Sequence, residues 1–304
     1  MENTAVITDS NCGLTVDEAE REGFSLVNMP FLINGRVFYE NVDLTRDQFF
    51  SELEKGSDVG TSQPTIDDVK NAWDTALKTH DTVVYIPMSS GLSGSCSTAM
   101  MLAEDYDGKV QVVNNQRISV TQIQSARDAV ELAREGRSAA EIKKILETVK
   151  FDSTIYIKLD TLKYLKKGGR ITPAAAAIGT ALRLKPVLQI QGEKLDAYTI
   201  ARTEKQAMTK ILGAVENDVV SRFGGMANKD NIHFEVSGTC SRDEMEAFAD
   251  EIRAKFGISD VNIAPLSLSV ACHIGEGSIA AACSLEVHDA FNRRLALENE
   301  KEIS

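Results

Sequence analysis

Residues 83–104 read VVYIPMSSGLSGSCSTAMMLAE, and the order of their parts decides the fold. Val83 to Ile86 is a short apolar run that predicts a buried strand. Ser89 to Ser95 follows it directly, with hydroxyls interleaved by Gly91 and Gly94, and Ser93 to Glu104 predicts a helix. The alternation recurs on either side. Ala5 to Thr8, Phe24 to Asn28 and Val110 to Val113 predict further buried strands, and Ile118 to Glu135 a further helix. Such a rhythm is the signature of a mainly parallel sheet covered on both faces. Between these elements, Phe31 to Tyr39 carries Asn34-Gly35 between two apolar arms, a hairpin signal. Thr65 with Asp68 three positions on suits the capping box of a helix start.

After about Lys150 the rhythm changes. Thr154 to Leu159 predicts a strand, followed by a short helix and a turn at Gly168-Gly169. Pro186 to Ile190 and Lys194 to Ile200 flank Gly192 and predict a hairpin. Ile232, Phe234 and Val236 alternate with His233, Glu235 and Ser237, a half-buried strand pattern. Helices over Glu204 to Arg222 and Arg242 to Lys255 complete an α+β layer. A chain of 304 residues exceeds what one compact core usually supports. The expected fold class is therefore α/β, with a mainly parallel N-terminal domain over 1–155 and an α+β domain over 156–304.

Composition narrows the function. Hydrophobic content of 43% and charged content of 26% are ordinary for a globular protein. A net charge of -12 opposes nucleic acid and anionic membrane, which need clustered Lys and Arg. Lys166, Lys167 and Arg170 form the one notable basic cluster. Cys12, Cys96, Cys240, Cys272 and Cys283 are odd in number and contain no CxxC pair, which argues against a disulfide framework and a closed zinc site. No metal or cofactor is expected. The N-terminus shows no signal peptide, and the Ala-rich run after Pro173 is interrupted by Arg183 and Lys185, short of a membrane span. The expected location is cytoplasmic, without stable membrane insertion.

Three segments could carry chemistry. Thr61-Ser62-Gln63-Pro64-Thr65 sets two hydroxyls and an amide before a proline-initiated helix, where unpaired N–H groups converge. It reads either as an anion cradle or simply as a well-capped helix start. Ser89 to Ser95 lies beyond the carboxyl end of a parallel strand, where open sheets bind ligands. Ser93 and Gly94 there could meet a carboxylate; a serine-rich cap is the plainer reading. Leu266 to His273 alternates with period two and predicts a strand, with His273 away from the apolar face and Gly275 and Gly277 close behind.

Other chemistries are weakened. Adjacent residues of a strand face opposite ways, so Cys272 and His273 cannot form a nucleophile–base pair. GLSGS at 91–95 has Ser95 where a nucleophile elbow has its second glycine. Gly168-Gly169-Arg170 lacks the ending of a phosphate loop.

Several stretches together resemble one family. They are Ile7-Thr8-Asp9-Ser10, TSQPT at 61–65, SSGLSGS at 89–95, DTLKYLKKGGRI at 160–171, LKPVLQIQG at 184–192, and His273-x-Gly-x-Gly. In this order and spacing they resemble the DegV family, which includes the fatty-acid-binding subunit of bacterial fatty acid kinase. The resemblance implies a parallel α/β domain joined to an α+β domain, with a lipid tunnel between them. It implies a carrier of one long-chain fatty acid, such as palmitate, stearate or oleate, and not an enzyme in its own right. Thr61 and Ser93 match positions that hold the carboxylate, with Ser62, Gly94 and His273 beside them. Arg202 and His273 match positions associated with phosphorylation of the lipid to an acyl phosphate by a separate kinase subunit. The chain departs from the pattern at Cys96, Cys272 and Glu276. The rival readings are a serine hydrolase or esterase using Ser93 with His273, and a regulatory binding protein whose lipid state another partner senses.

Overall fold

The computed structural model describes residues 2–177 and 184–303. Seven strands lie in the first half: β1 (Thr4–Asp9), β2 (Ser25–Val27), β3 (Pro30–Ile33), β4 (Arg36–Tyr39), β5 (Val59–Thr61), β6 (Thr82–Ile86) and β7 (Val110–Val112). Strands β2, β1, β6 and β7 pair in that order as an all-parallel sheet. Its central strand β6 is buried at every position, as expected of a strand covered on both faces. Beside it, β4, β3 and β5 make a small antiparallel sheet. Asn34 and Gly35 join β3 to β4 with φ of 50° and 77°, the positive values that a two-residue hairpin turn demands. The helix Ile66–Ala76 opens on the expected capping box of Thr65 and Asp68.

The second half supplies β8 (Ser153–Lys158), β9 (Lys185–Ile190), β10 (Asp196–Ala201), β11 (Ile232–Gly238), β12 (Asn262–Pro265) and β13 (Ile279–Leu285). They form one mixed sheet in the order β10-β9-β8-β13-β11-β12. The half-buried expectation for β11 is corrected here. Glu235 is 0% and Ser237 1% exposed, because β11 is an inner strand packed by both the helix Val120–Arg134 and the helix Arg242–Phe256. One apolar cluster runs from Val84 and Ile86 through Ala126, Ala129 and Val130 to Val236 and Ile279, so the helix Val120–Arg134 ties the two large sheets together.

A second correction concerns Leu266 to His273. Residues Leu268–Ile274 form a helix, with the Ser267 side chain accepting the N–H of Val270 at its start. Leu268, Ala271 and Cys272 sit at helical spacing and bury against Phe31 and Phe49. A seven-residue run with several apolar positions satisfies both periods, and the serine cap and the hairpin core select the helix. Pro173–Ala177 begins the Ala-rich run as a helix; Arg183 lies outside the described residues. Among the described residues, no helix is long and apolar enough to cross a membrane.

Candidate functional site

The carboxyl ends of β1 and β6 are neighbours, paired at Thr8 and Ile86. The Thr8 hydroxyl donates to the Ile86 carbonyl at 2.6 Å, and the Asp9 carboxylate accepts the Met88 N–H at 2.7 Å. A cavity of about 260 Å³ opens beyond these ends. Met29, Met88, Leu92, Ile118, Leu165, Leu195, Val270 and Ile274 give it an apolar wall. Asn11, Thr61, Ser62, Gln63, Ser93, Gly94, Arg170, Ser269 and His273 supply the polar points.

Each polar group is placed by a different element. Thr61 ends β5, opposite Phe31. Ser62 is exposed at the margin, its hydroxyl donating to the Gln63 carbonyl at 3.1 Å. Ser93 and Gly94 lie in a loop that folds back on itself, with the N–H groups of Leu92 and Ser93 donating to the Ser89 carbonyl at 3.0 and 3.1 Å. The Ser93 hydroxyl accepts the Ser95 N–H at 3.1 Å, at the start of the helix Ser95–Ala103. This loop is seated on the β9–β10 connection. The Ser89 hydroxyl donates to the Glu193 carbonyl at 2.9 Å, and a Cβ on Gly91 would collide with the Cβ and backbone of Glu193.

His273 comes from the short helix. Its neighbours Ser269, Val270 and Ile274 share the cavity face, while Cys272 turns into the hairpin core. Nε2 of His273 and the Thr61 hydroxyl share a hydrogen bond of 2.9 Å across 212 positions of chain. Burial, and then the nearby Arg170 guanidinium, push the imidazole down to about 4 from its ordinary 6.5. The ring is therefore neutral at neutral pH. Arg170 is itself fixed, donating to the Leu92 carbonyl at 3.2 Å and to the Gly168 carbonyl.

Thr61, Arg170 and His273 also border an outer depression of about 360 Å³, together with Lys163, Tyr164 and Lys167. These three residues thus stand between the cavity and this second depression. Arg202 does not join them. It is exposed between β10 and the helix Glu204–Ser221, with its N–H donating to the Gln206 side chain at 2.7 Å.

The structure therefore gathers Thr61, Ser62, Ser93, Gly94 and His273 and leaves Arg202 apart. It adds Arg170, Asn11 and Ser269. In the sequence, Arg170 stands out only as one member of a basic cluster and of the GGRI stretch, with nothing local to mark it as inward-facing. Among the described residues, no hydrogen bond joins Ser93 to His273, and none joins His273 to a carboxylate, so a hydrolytic triad lacks both of its links. Glu131, Glu135 and His288 have metal-ligand spacing but share no residue with the cavity.

The family model described as "uncharacterised protein, DegV family" matches residues 3–286. A DegV domain-containing protein of Clostridium perfringens is 30% identical over 287 residues, which cover 92% of this chain and 98% of that one. The solved structure titled as fatty acid binding of a DegV family protein from Thermus thermophilus superposes with a TM-score of 0.84 at 28% identity, covering 93% of this chain and 99% of that chain. DegV of Bacillus subtilis, described as a fatty acid binding protein, gives a TM-score of 0.82 at 25% identity, covering 94% of this chain and 100% of that chain.

Proposed function

The chain belongs to the DegV family, and from that premise we propose that its cavity binds one long-chain fatty acid and presents the carboxylate to a separate kinase. The observation that carries the reading is the composition of the cavity: an apolar wall, with Thr61, Ser93 and Arg170 as donors and a neutral His273 hydrogen-bonded to the Thr61 hydroxyl. The relatives from Thermus thermophilus and Bacillus subtilis, each described as binding fatty acid, support it.

The energetics are coherent. Each buried methylene contributes roughly 0.8 kcal/mol, so a chain of ~15 supplies on the order of 12 kcal/mol before the costs of association. The charged end must then be met by donors, because an unpaired buried carboxylate is prohibitive. Thr61 and Ser93 offer hydroxyls, Gly94 a backbone N–H, and Ser62 a further hydroxyl at the margin. Arg170 brings a guanidinium to the same lining.

Thr61, His273 and Arg170 border the outer depression as well as the cavity. A carboxylate held there is reachable from outside for phosphorylation to an acyl phosphate. Arg202, exposed on the surface, fits contact with the kinase better than contact with the lipid. In this reading the division at residue 155 separates two domains with the lipid tunnel between them, and the chain acts as a cytoplasmic carrier.

The test is mass spectrometry of the purified protein, under native conditions and after solvent extraction. A stoichiometric fatty acid, lost when Thr61 and Ser93 are both changed to Ala, is expected. A clean unliganded mass that no fatty acid shifts would sink the reading. Phosphate transfer to the bound acid by a fatty acid kinase tests the second half.

A further inference from the structure

The cavity holds a polar point apart from the Thr61–His273 pair. Asn11 is 1% and Ser269 6% exposed, yet both line the cavity among Met29, Met88 and Val270. Ser269 precedes His273 by four residues on one helix, so about 6 Å of helix axis separates them.

The Asn11 amide has one orientation. Its Oδ1 accepts from the Ser269 hydroxyl, and the Ser267 hydroxyl lies 3.4 Å away. Its Nδ2 donates to Asp9 Oδ1 at 2.9 Å. The Asp9 carboxylate also accepts the N–H groups of Met88 and Asn11 and the Gln122 side chain, so a reversed amide would set carbonyl oxygen against carboxylate. The remaining Nδ2 hydrogen points to the Met88 sulfur at 3.0 Å. A thioether is a weak acceptor, so this donor is poorly used. Ser269 complements it. With its own hydrogen on Asn11 and the Ser267 hydroxyl donating to it at 3.0 Å, one lone pair of the Ser269 oxygen stays open. A donor beside an acceptor matches a hydroxyl group, which takes one hydrogen bond and gives one.

We propose that Asn11 and Ser269 make the cavity selective for a fatty acid bearing a hydroxyl on its chain. The hydroxyl oxygen accepts from Asn11 Nδ2, and its hydrogen goes to the Ser269 oxygen. This rests on the fatty-acid reading of the same cavity and names the class of acid. A hydroxyl placed elsewhere along the chain, beyond reach of the head-group donors, meets the apolar wall and loses its hydrogen bonds to water, so its position decides affinity.

The experiment is competition for the lipid-stripped protein between octadecanoic acid and a series of monohydroxylated octadecanoic acids, read by native mass spectrometry. One position, or a narrow band of positions, is expected to bind roughly 3- to 10-fold tighter than the unsubstituted acid: one of the two bonds formed replaces the Asn11–Met88 contact, which leaves about one added hydrogen bond. Asn11→Leu and Ser269→Ala abolish that preference. Met88→Leu, a swap of similar volume, removes the sulfur acceptor and enlarges the preference. Because Asn11 also braces Asp9, Ser269→Ala and Met88→Leu decide the matter if Asn11→Leu does not fold. If every hydroxylated acid binds more weakly than octadecanoic acid, the selectivity is refuted and the fatty-acid reading stands. If neither kind of acid binds, both fall.

Discussion

The His273 imidazole rests against the bare backbone of Gly168: a Cβ on Gly168 would stand 2.5 Å from Nδ1. Gly168 closes the helix Lys163–Gly168, and Arg170, two residues on, donates back to its carbonyl. One glycine therefore sets the positions of a neutral imidazole and a guanidinium together.

Gly168→Ala tests that arrangement. Helix propensity favours Ala by up to about 1 kcal/mol, whereas overpacking costs about 1–3 kcal/mol. The fold should survive, with the imidazole displaced and fatty acid affinity reduced. Native mass spectrometry and thermal unfolding, run together, separate the two effects; unchanged affinity would show that the contact is irrelevant to binding.

Thr61→Val keeps the shape of the side chain and removes the hydroxyl that meets His273. Ser93→Ala removes a second donor. Hydrogen bonds to a charged group contribute about 1.5–3 kcal/mol, so each variant should bind roughly 10- to 100-fold more weakly. The double variant should fall short of the product of the two, since in the proposed site both hydroxyls serve one carboxylate. Full affinity in both single variants would remove these residues from the head-group site.

Acid should destabilise the unliganded protein through His273. Its folded pKa is lowered to about 4, so between pH 6.5 and about 4 the unfolded chain binds the extra proton. The contribution is complete above pH 6.5 and is lost as pH falls through that window. His273→Gln, which cannot titrate, should lose less stability than the wild type between pH 7 and pH 4.5. Equal losses in urea unfolding at the two pH values would contradict this.

Glu235 should act in the opposite direction. Burial, offset in part by Arg127 and Arg117, pushes its carboxyl up to about 8 from 4.5. The folded protein therefore holds that proton more tightly than the unfolded chain. The contribution is full below pH 4.5 and declines as pH rises towards 8. Glu235→Gln should flatten that decline and gain relative stability at alkaline pH. A variant whose unfolding midpoint keeps the wild-type pH slope would refute the assignment.

The parts legible in the amino-acid sequence are those with a strong local pattern. The Val83–Ile86 strand and the loop after it, the Asn34-Gly35 turn and the Thr65 cap all stand where expected. Glu235 and Leu268–Ile274 depart from their expected settings for a common reason. Alternation along a chain reports one face at a time, whereas β11 is covered on both faces and the short helix takes its shape from the hairpin core against it.

The family resemblance picks out Thr61, Ser93 and His273 because they lie in contiguous stretches of distinctive sequence. It does not place Arg170 in the cavity lining or bring Asn11 to Ser269, 258 positions away. By itself, then, the sequence determined the elements and the loops at their ends, because helix caps, turns and strand runs act over a few residues. Only the tertiary structure decided which side chains face one another across the cavity. Those meetings depend on the packing of three sheets, and no local pattern encodes a distance between residues so far apart in the chain.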